Sequence, residues 1–175
     1  MARRTQGFTL LEMIVSLAVV LVILSVGLPA FGRLLDRHQE LAATNALLTQ
    51  LALARSWAVS RGQPVALCPS RTQGRCTAEI EWSNNWMIYA DPDGDRQPNR
   101  SSDILSEAAA PGRSRLRVLS SLGRSQMRYL PDGRATGSNV TFRICRRQAI
   151  ASEVIVSATG RARSVRHAGE PPCGQ

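Results

Sequence analysis

The stretch that decides the fold is QGFTLLEMIVSLAVVLVILSVGLPAFG, residues 6–32. Its last 20 residues, from Met13 to Gly32, carry no charged side chain. A helix of that length spans about 30 Å, the thickness of the hydrocarbon core of a bilayer. Arg3 and Arg4 precede it, and positive residues stay on the cytoplasmic side. We therefore expect one inner-membrane helix with the remaining chain in the periplasm. A cleaved signal peptide is the alternative, but its apolar core would be shorter and free of acid.

One carboxylate, that of Glu12, stands at the edge of this apolar run. A charge there costs up to about 3 kcal/mol on insertion scales, so it needs a partner. Cleavage after Gly7 would make Phe8 the new N-terminus, with a positive α-amine. In a filament of parallel helices, Glu12 of one subunit would pair with the Phe8 amine of the next. That pair would offset the desolvation of both groups and fix the axial register of the subunits.

The segment Gly7-Phe8-Thr9-Leu10-Leu11-Glu12, after a short basic leader, resembles the prepilin motif of type IV pilins and type II secretion pseudopilins. The resemblance implies cleavage after Gly7 by a prepilin peptidase and N-methylation of Phe8. It makes Glu12 the fifth residue and Pro29 the 22nd of the mature chain, where many pilin helices kink. It also implies a protein without cofactor that sits in the inner membrane and then joins other pilins in a filament.

Beyond Arg33 the apolar residues recur at helical spacing. Leu34, Leu41 and Leu48 are seven apart. A second row of apolar residues lies beside them and consists of Leu47, Leu51, Ala54 and Ala58. We expect the helix to end near Ser60, before Gly62 and Pro64. The predicted organisation is a leader (1–7), a membrane or filament-core helix (8–32), an amphipathic continuation (33–61) and a β-rich periplasmic domain with a basic tail (62–175).

After residue 62 the period changes to that of strands, and a long second helix is not predicted. The expected fold is α+β, one long helix packed on antiparallel sheet, as in type IV pilins. The polar, Pro- and Gly-rich stretch 91–112 is predicted to be a loop. A turn is predicted at 131–134, and a hairpin turn at 159–161. Strands are predicted at 64–68, 85–90, 115–120, 126–131, 139–145, 153–159 and 161–166.

Alternating carboxylates at Asp91, Asp93 and Asp95 suggest a calcium loop, because calcium binds several oxygen ligands. The EF-hand pattern requires Gly at the sixth loop position and Glu at the twelfth, whereas Gly94 is fourth and Ser102 twelfth. An acidic turn is therefore the preferred interpretation, with no metal site. A similar segment after a strand recurs in the pseudopilin H and FimT group, which NWMIYADPDGD (85–95) resembles.

The four cysteines, in an oxidising periplasm, predict two disulfides with three possible pairings. We favour Cys68–Cys76, which closes a local loop, and Cys145–Cys173, which ties the tail to a strand. A zinc site is the alternative, but there is no C-x-x-C motif and the only nearby histidine is His167.

The net charge of +9 comes from 22 arginines, with no lysine, against 13 acids. Residues 113–175 hold the whole excess, and the arginines near their end, around Cys145 and in GRARSVRHAGEPPCGQ (160–175), have no nearby acid except Glu153 and Glu170. Guanidinium groups match phosphate oxygens bidentately, and few aromatic residues accompany them. The pattern therefore predicts sequence-independent, salt-sensitive contacts to a nucleic-acid backbone. The candidate residues are Arg143, Arg146, Arg147, Arg161, Arg163 and Arg166.

The segment GRAR (160–163), followed by a basic loop and a terminal cysteine, resembles the G-R-x-R motif in the tail of FimT-type minor pilins. That group is implicated in capturing duplex DNA for natural transformation. The resemblance carries over Gly160, Arg161 and Arg163, with the glycine allowing a tight turn. Arg166 and the arginines at 143–147 are added here from charge alone, on the expectation that the second disulfide gathers all six.

Four hypotheses follow from the sequence. The chain is a minor pilin that binds extracellular DNA, a pseudopilin H-like subunit of a type II secretion filament, or a minor pilin needed for assembly without a DNA role. An enzyme is the fourth class, and it lacks support because no nucleophile elbow, H-E-x-x-H or phosphate loop is present and His38 and His167 lack evident partners.

Overall fold

One helix, α1, runs without interruption from Leu10 to Arg61 and contains Pro29. Its start is capped by Thr9, whose hydroxyl oxygen accepts a hydrogen bond from the backbone N–H of Glu12 at 3.3 Å. The computed structural model describes residues 9–71, 74–111, 115–167, 169 and 171–174. The chain divides into two compact units, residues 1–38 and 39–175.

In the first unit, the apolar side chains of α1 face outward. Leu11, Leu21 and Phe31 are 72%, 66% and 66% exposed. Among the described residues, α1 is the one helix long and apolar enough to cross a membrane. The exposed side chains therefore need an apolar environment that the chain itself does not supply.

In the second unit, the same helix buries a stripe of apolar residues. Leu47, Leu51, Ala54 and Ala58, the second row predicted from the sequence, are fully buried. The seven-residue row leaves this face: Leu34 is 52% exposed and Leu41 37%, whereas Leu48 packs partly buried against the core. A straight helix has 3.6 residues per turn, so a strict seven-residue row drifts off the buried face.

Within the described residues, eight strands form two four-stranded antiparallel sheets, one ordered β3-β2-β1-β5 and the other β4-β6-β7-β8. The fold is thus α+β, as predicted, with one long helix against antiparallel sheets. The strands are β1 (Val65–Ser70), β2 (Asn85–Ala90), β3 (Ile104–Ala109), β4 (Leu116–Ser120), β5 (Met127–Tyr129), β6 (Val140–Arg146), β7 (Ala149–Val156) and β8 (Ala162–Arg166).

The stretch predicted to be a loop, 91–112, contains regular structure. A short 3-10 helix (Ser101–Asp103) leads into β3, which pairs with β2 at the edge of the first sheet. The sequence of β3, ILSEAA, carries only one β-branched residue, and its side chains are half-buried or exposed. An edge strand of this kind is held by its backbone ladder, so it leaves no clear hydrophobic pattern.

The core lies between α1 and the inner faces of both sheets. Trp82, fully buried, meets Phe142 edge-on with ring centroids 4.8 Å apart. Each sheet also has a small apolar cluster on its other face, around Tyr89 in the first sheet and Ile150 in the second. A disulfide belongs to each of these clusters.

The disulfides are Cys68–Cys76 and Cys145–Cys173, the pairing favoured from the sequence, with Cα atoms 5.6 and 6.0 Å apart. All four cysteines are therefore used, and no thiolate remains for the zinc alternative. The second disulfide fixes the C-terminal segment against β6, and Pro172 forms a bridge with Ala149 at the start of β7.

Candidate functional site

The candidate arginines lie on or beside three neighbouring strands of the second sheet, β6, β7 and β8. The β6–β7 turn is at Arg147 and Gln148, which have φ of 50° and 71°. The β7–β8 turn is at residues 157–161. These turns lie at opposite ends of β7, whose eight residues span about 25 Å. The expectation that the second disulfide gathers all six arginines into one cluster is therefore wrong.

Two groups result, and we name them by position. The turn group, Gly160, Arg161 and Arg163, lies at the β7–β8 turn and the start of β8. The tail group lies toward the other end or contacts the C-terminal segment, and comprises Arg143, Arg146, Arg147 and Arg166.

Acids neutralise part of the tail group. Arg166 Nε lies 3.4 Å from Glu40 Oε1, and Arg143 Nε lies 3.6 Å from Glu153 Oε1. Arg143 also donates to the carbonyl oxygen of Gly174 at 3.4 Å. Arg146 and Arg147 have interaction partners as well. Arg143 thus holds the tail and Arg166 holds α1, which reduces the availability of both for an external anion.

Glu40 was missed by sequence reasoning. It is 6% exposed and stands on α1, 126 residues from Arg166. Beside it, Thr44 shares a 2.8 Å hydrogen bond with Ser152 of β7. This polar contact line joins α1 to the second sheet, and no local pattern in the sequence could have indicated it.

His167 has an acid partner, contrary to the prediction. Its Nε2 lies 2.9 Å from Glu153 Oε2. Glu153 therefore contacts both His167 and Arg143, which makes it the centre of a charged network on the tail.

The turn group differs, because its two arginines are exposed and, within the described part of the chain, have no side-chain hydrogen bond or ion pair. Arg163 stands opposite Ile155 on β7 and faces away from the core, whereas Arg166 faces α1. This opposition agrees with the two-residue period expected of the strand. Two exposed guanidinium groups of this kind can bind anionic oxygens bidentately.

Gly160 is required by the geometry of the turn. Its φ is 81°, and its N–H donates to the carbonyl oxygen of Ser157 at 2.8 Å. A Cβ atom at this position would overlap the carbonyl oxygen of Gly133, in the 131–134 turn. Only glycine therefore fits both the backbone conformation and the close approach of the two turns.

Arg55 of α1 was also missed. It donates from Nη2 to the carbonyl oxygen of Thr159 at 3.3 Å, so the helix contacts the turn group directly. Nothing in the helical pattern distinguishes this arginine from Arg37 or Arg61.

The three carboxylates suggested as a calcium loop place one oxygen each within 4.8 Å of one another. Asp91 is buried and lies 2.8 Å from Arg128 Nε. Burial raises the pKa of Asp91, and the Arg128 charge opposes that rise. Asp93 accepts a 2.7 Å hydrogen bond from Asn99, which lowers the pKa of Asp93. Groups of the chain itself thus contact the first two of these carboxylates.

Of the predicted processing residues, Gly7 and Phe8 lie outside the described part of the chain. Glu12 is exposed in the first turn of α1.

Comparison with known proteins addresses the fold and the family. The crystal structure of the type IV minor pilin FimU of Pseudomonas aeruginosa matches with a TM-score of 0.63 and 17% identity, over 79% of this chain and 98% of that one. The minor pseudopilin EpsH of the Vibrio cholerae type II secretion system matches with a TM-score of 0.52 and 12% identity, over 78% and 99%. At these identities the likeness shows the fold.

A search of curated proteins found no significant match. Two family models match: the prokaryotic N-terminal methylation motif at residues 2–28, and the type II transport protein GspH at residues 43–160. The second match covers more than half of the chain and includes α1 from residue 43, both sheets up to β7 and the β7–β8 turn as far as Gly160. The chain therefore belongs to the family of the type II transport protein GspH, and it carries the N-terminal methylation motif.

Proposed function

We propose that this minor pilin enters a type IV pilus and binds extracellular double-stranded DNA through its turn group, for DNA uptake in natural transformation. The observation that carries the proposal is the exposure of Arg161 and Arg163, which have no acid or hydrogen-bond partner in the described part of the chain. Arginine contacts to phosphates give sequence-independent binding. Part of the charge of the tail group is paired within the fold. That group therefore contributes only a long-range electrostatic attraction to DNA.

The assembly part of the proposal concerns the N-terminus. A prepilin peptidase cuts after Gly7, Phe8 is methylated, and the Glu12 carboxylate pairs with the Phe8 amine of the next subunit. The apolar half of α1 holds the chain in the inner membrane, with the domain in the periplasm, until it joins the other pilins. The match of the methylation motif to residues 2–28 supports this processing. Mass spectrometry of the mature protein should show methyl-Phe8 as its first residue, and any other N-terminus would refute the scheme.

The DNA part is tested with the full chain in nanodiscs of zwitterionic lipid. Affinity for a 30-base-pair duplex is measured by fluorescence anisotropy at several salt concentrations. We expect Arg161→Gln plus Arg163→Gln to lower the affinity at least about tenfold and to reduce the salt slope by about 2, since two phosphate contacts are lost.

A charge-matched control is Arg96→Gln plus Arg100→Gln. These arginines precede β3, at the edge of the first sheet opposite β5, and their replacement removes the same charge. The control should stay within about twofold of the wild-type affinity. Equal losses in both variants would show that the turn group has no special role, and absence of wild-type binding at low salt would remove the DNA function.

The second candidate is a pseudopilin of a type II secretion filament, favoured by the GspH family match and by the likeness to EpsH. A type II pseudopilin would share the N-terminal processing and would need no DNA contact. The same holds for a minor pilin that serves assembly alone. Deletion of the gene distinguishes them: loss of transformation with normal secretion supports the first proposal, and loss of secretion supports the second.

A further inference from the structure

A groove of about 720 Å³ opens between α1 and the start of β8, beside the turn group. One wall is apolar and includes Leu48, Leu51 and Val59 of the helix. The cationic groups are those of Arg55 and Arg161, and no carboxylate lies among the lining residues. The groove is therefore positive, without an acid of its own to compensate.

Arg55 has spare hydrogen-bonding capacity. Guanidinium has five N–H donors, and the contact to the Thr159 carbonyl oxygen uses one of them. The same side chain packs against Gly133 and Gly160, since a Cβ atom on either glycine would lie 3.1 or 3.3 Å from Arg55 Nε. Arg55 is thus fixed at the base of the turn that presents Arg161.

A buried polar group near Arg55 has no partner. Tyr129 lines the groove, and its fully buried hydroxyl has no hydrogen-bond partner within the described residues. Buried hydroxyl groups are normally satisfied. The hydroxyl is a polar group left unsatisfied behind the lining of the groove, and it is too buried to contact a ligand directly.

We propose that this groove is part of the DNA site, and that Arg55 and Arg161 together bind phosphate oxygens of one DNA strand. The inference rests on the proposed function and adds to it a third direct contact, from the helix. This DNA strand runs from the turn group along the groove, in the direction away from the tail group. Its sugars lie against the apolar wall. Charge selects DNA over a neighbouring pilin as the occupant, because two guanidinium groups without an acid favour a polyanion.

The test measures duplex binding by the full chain in zwitterionic nanodiscs, as above. We expect Arg55→Gln to weaken binding about three- to tenfold and to reduce the salt slope by about 1. Arg100→Gln, which removes the same charge beside β3, should change neither value appreciably. Wild-type affinity in Arg55→Gln would overturn the inference.

Because Arg55 also holds the turn, a second arm separates contact from positioning. Arg55→Gln is combined with Arg161→Gln. A direct phosphate contact predicts a further loss of affinity and of salt slope relative to Arg161→Gln alone. If the double variant equals Arg161→Gln, then Arg55 acts only through the turn and the inference is wrong.

The outcomes for the two proposals differ. Loss of binding in Arg161→Gln plus Arg163→Gln with full binding in Arg55→Gln keeps the DNA function and removes the groove. Failure of the wild type to bind removes both. Full DNA binding by Arg55→Gln with reduced incorporation into filaments would show that the groove receives a neighbouring pilin, which also overturns the inference.

Discussion

The two halves of α1 differ in both composition and surroundings. In residues 10–38 the described large apolar side chains are exposed, whereas from residue 43 onward the helix buries its stripe completely against both sheets. The domain therefore satisfies its apolar groups within one chain, and the first half of the helix depends on lipid or on other subunits. This difference teaches that a long helix can serve two environments when only its second half is matched to a core.

The comparison is tested most strongly by matched pairs of leucines. Leu47→Ala plus Leu51→Ala should destabilise the domain by about 4–8 kcal/mol, since both side chains are fully buried. The same change at Leu17 and Leu21, which are 62% and 66% exposed, should alter domain stability by less than about 0.5 kcal/mol. Urea unfolding of the full chain in micelles, followed by tryptophan fluorescence, measures both. Similar losses in the two variants would break the comparison.

The disulfides test how far the domain depends on covalent closure. Serine at Cys145 and Cys173 opens a link with a sequence separation of 28 and should cost about 3–4 kcal/mol in the chain-entropy model. Serine at Cys68 and Cys76, with a separation of 8, should cost about 2–3 kcal/mol. Thermal unfolding of the two variants should rank them in that order. The reverse order would mean that the tail contributes little to the domain.

Among the side chains of α1 whose burial is described, Glu40 is the first buried one along the helix, and so it marks where the self-contained part begins. Glu40→Gln should cost about 1 kcal/mol, because the charge on Arg166 loses its buried partner while that arginine stays half exposed. Glu79→Gln breaks an exposed pair with Arg71 and should cost less than about 0.5 kcal/mol. If Glu40→Gln changes stability no more than this control, then the self-contained part of α1 begins further along the helix than Glu40.

The smallest effect concerns an exception inside the domain, the Tyr129 hydroxyl, which has no partner among the described residues. Tyr129→Phe should leave stability unchanged or raise it by up to about 1 kcal/mol, since no hydrogen bond is lost. Tyr89→Phe removes a 2.7 Å hydrogen bond to Gln126 and should cost about 1 kcal/mol. A clear loss in Tyr129→Phe would reveal a partner for its hydroxyl.

Much of the fold could be predicted from the sequence because its signals are local. The charge-free run after Met13, the alternation in the strands and the Gly-containing turns each depend on a few adjacent residues. Seven of the strands stand close to the predicted positions, although β7 begins at Ala149 rather than Glu153. The division into two sheets, with β3 at an edge, depends on which strands pair, and pairing leaves no local signal.

The candidate site could be predicted only in part, for the same reason. Arg161 and Arg163 stand in a short motif, but the partners of the other arginines are remote in the sequence. Glu40 and its partner Arg166 are 126 residues apart in the sequence, and Arg55 is 104 residues from Thr159, the turn residue that it contacts. The strand direction also separates Arg146 and Arg147 from the turn group, which the clustering of charge along the chain could not indicate.

The contact between Gly133 and Gly160 has a consequence for how the G-R-x-R motif varies among relatives. Its arginines are exposed and take no part in the core, whereas its glycine is required by the contact with another turn of the same fold. A chain could exchange the arginines without altering its interior, but it could lose the glycine only together with a change at residues 131–134. Covariation between these two turns would therefore reflect the contact that the fold requires. Variation of the arginines alone would reflect gain or loss of the proposed DNA binding.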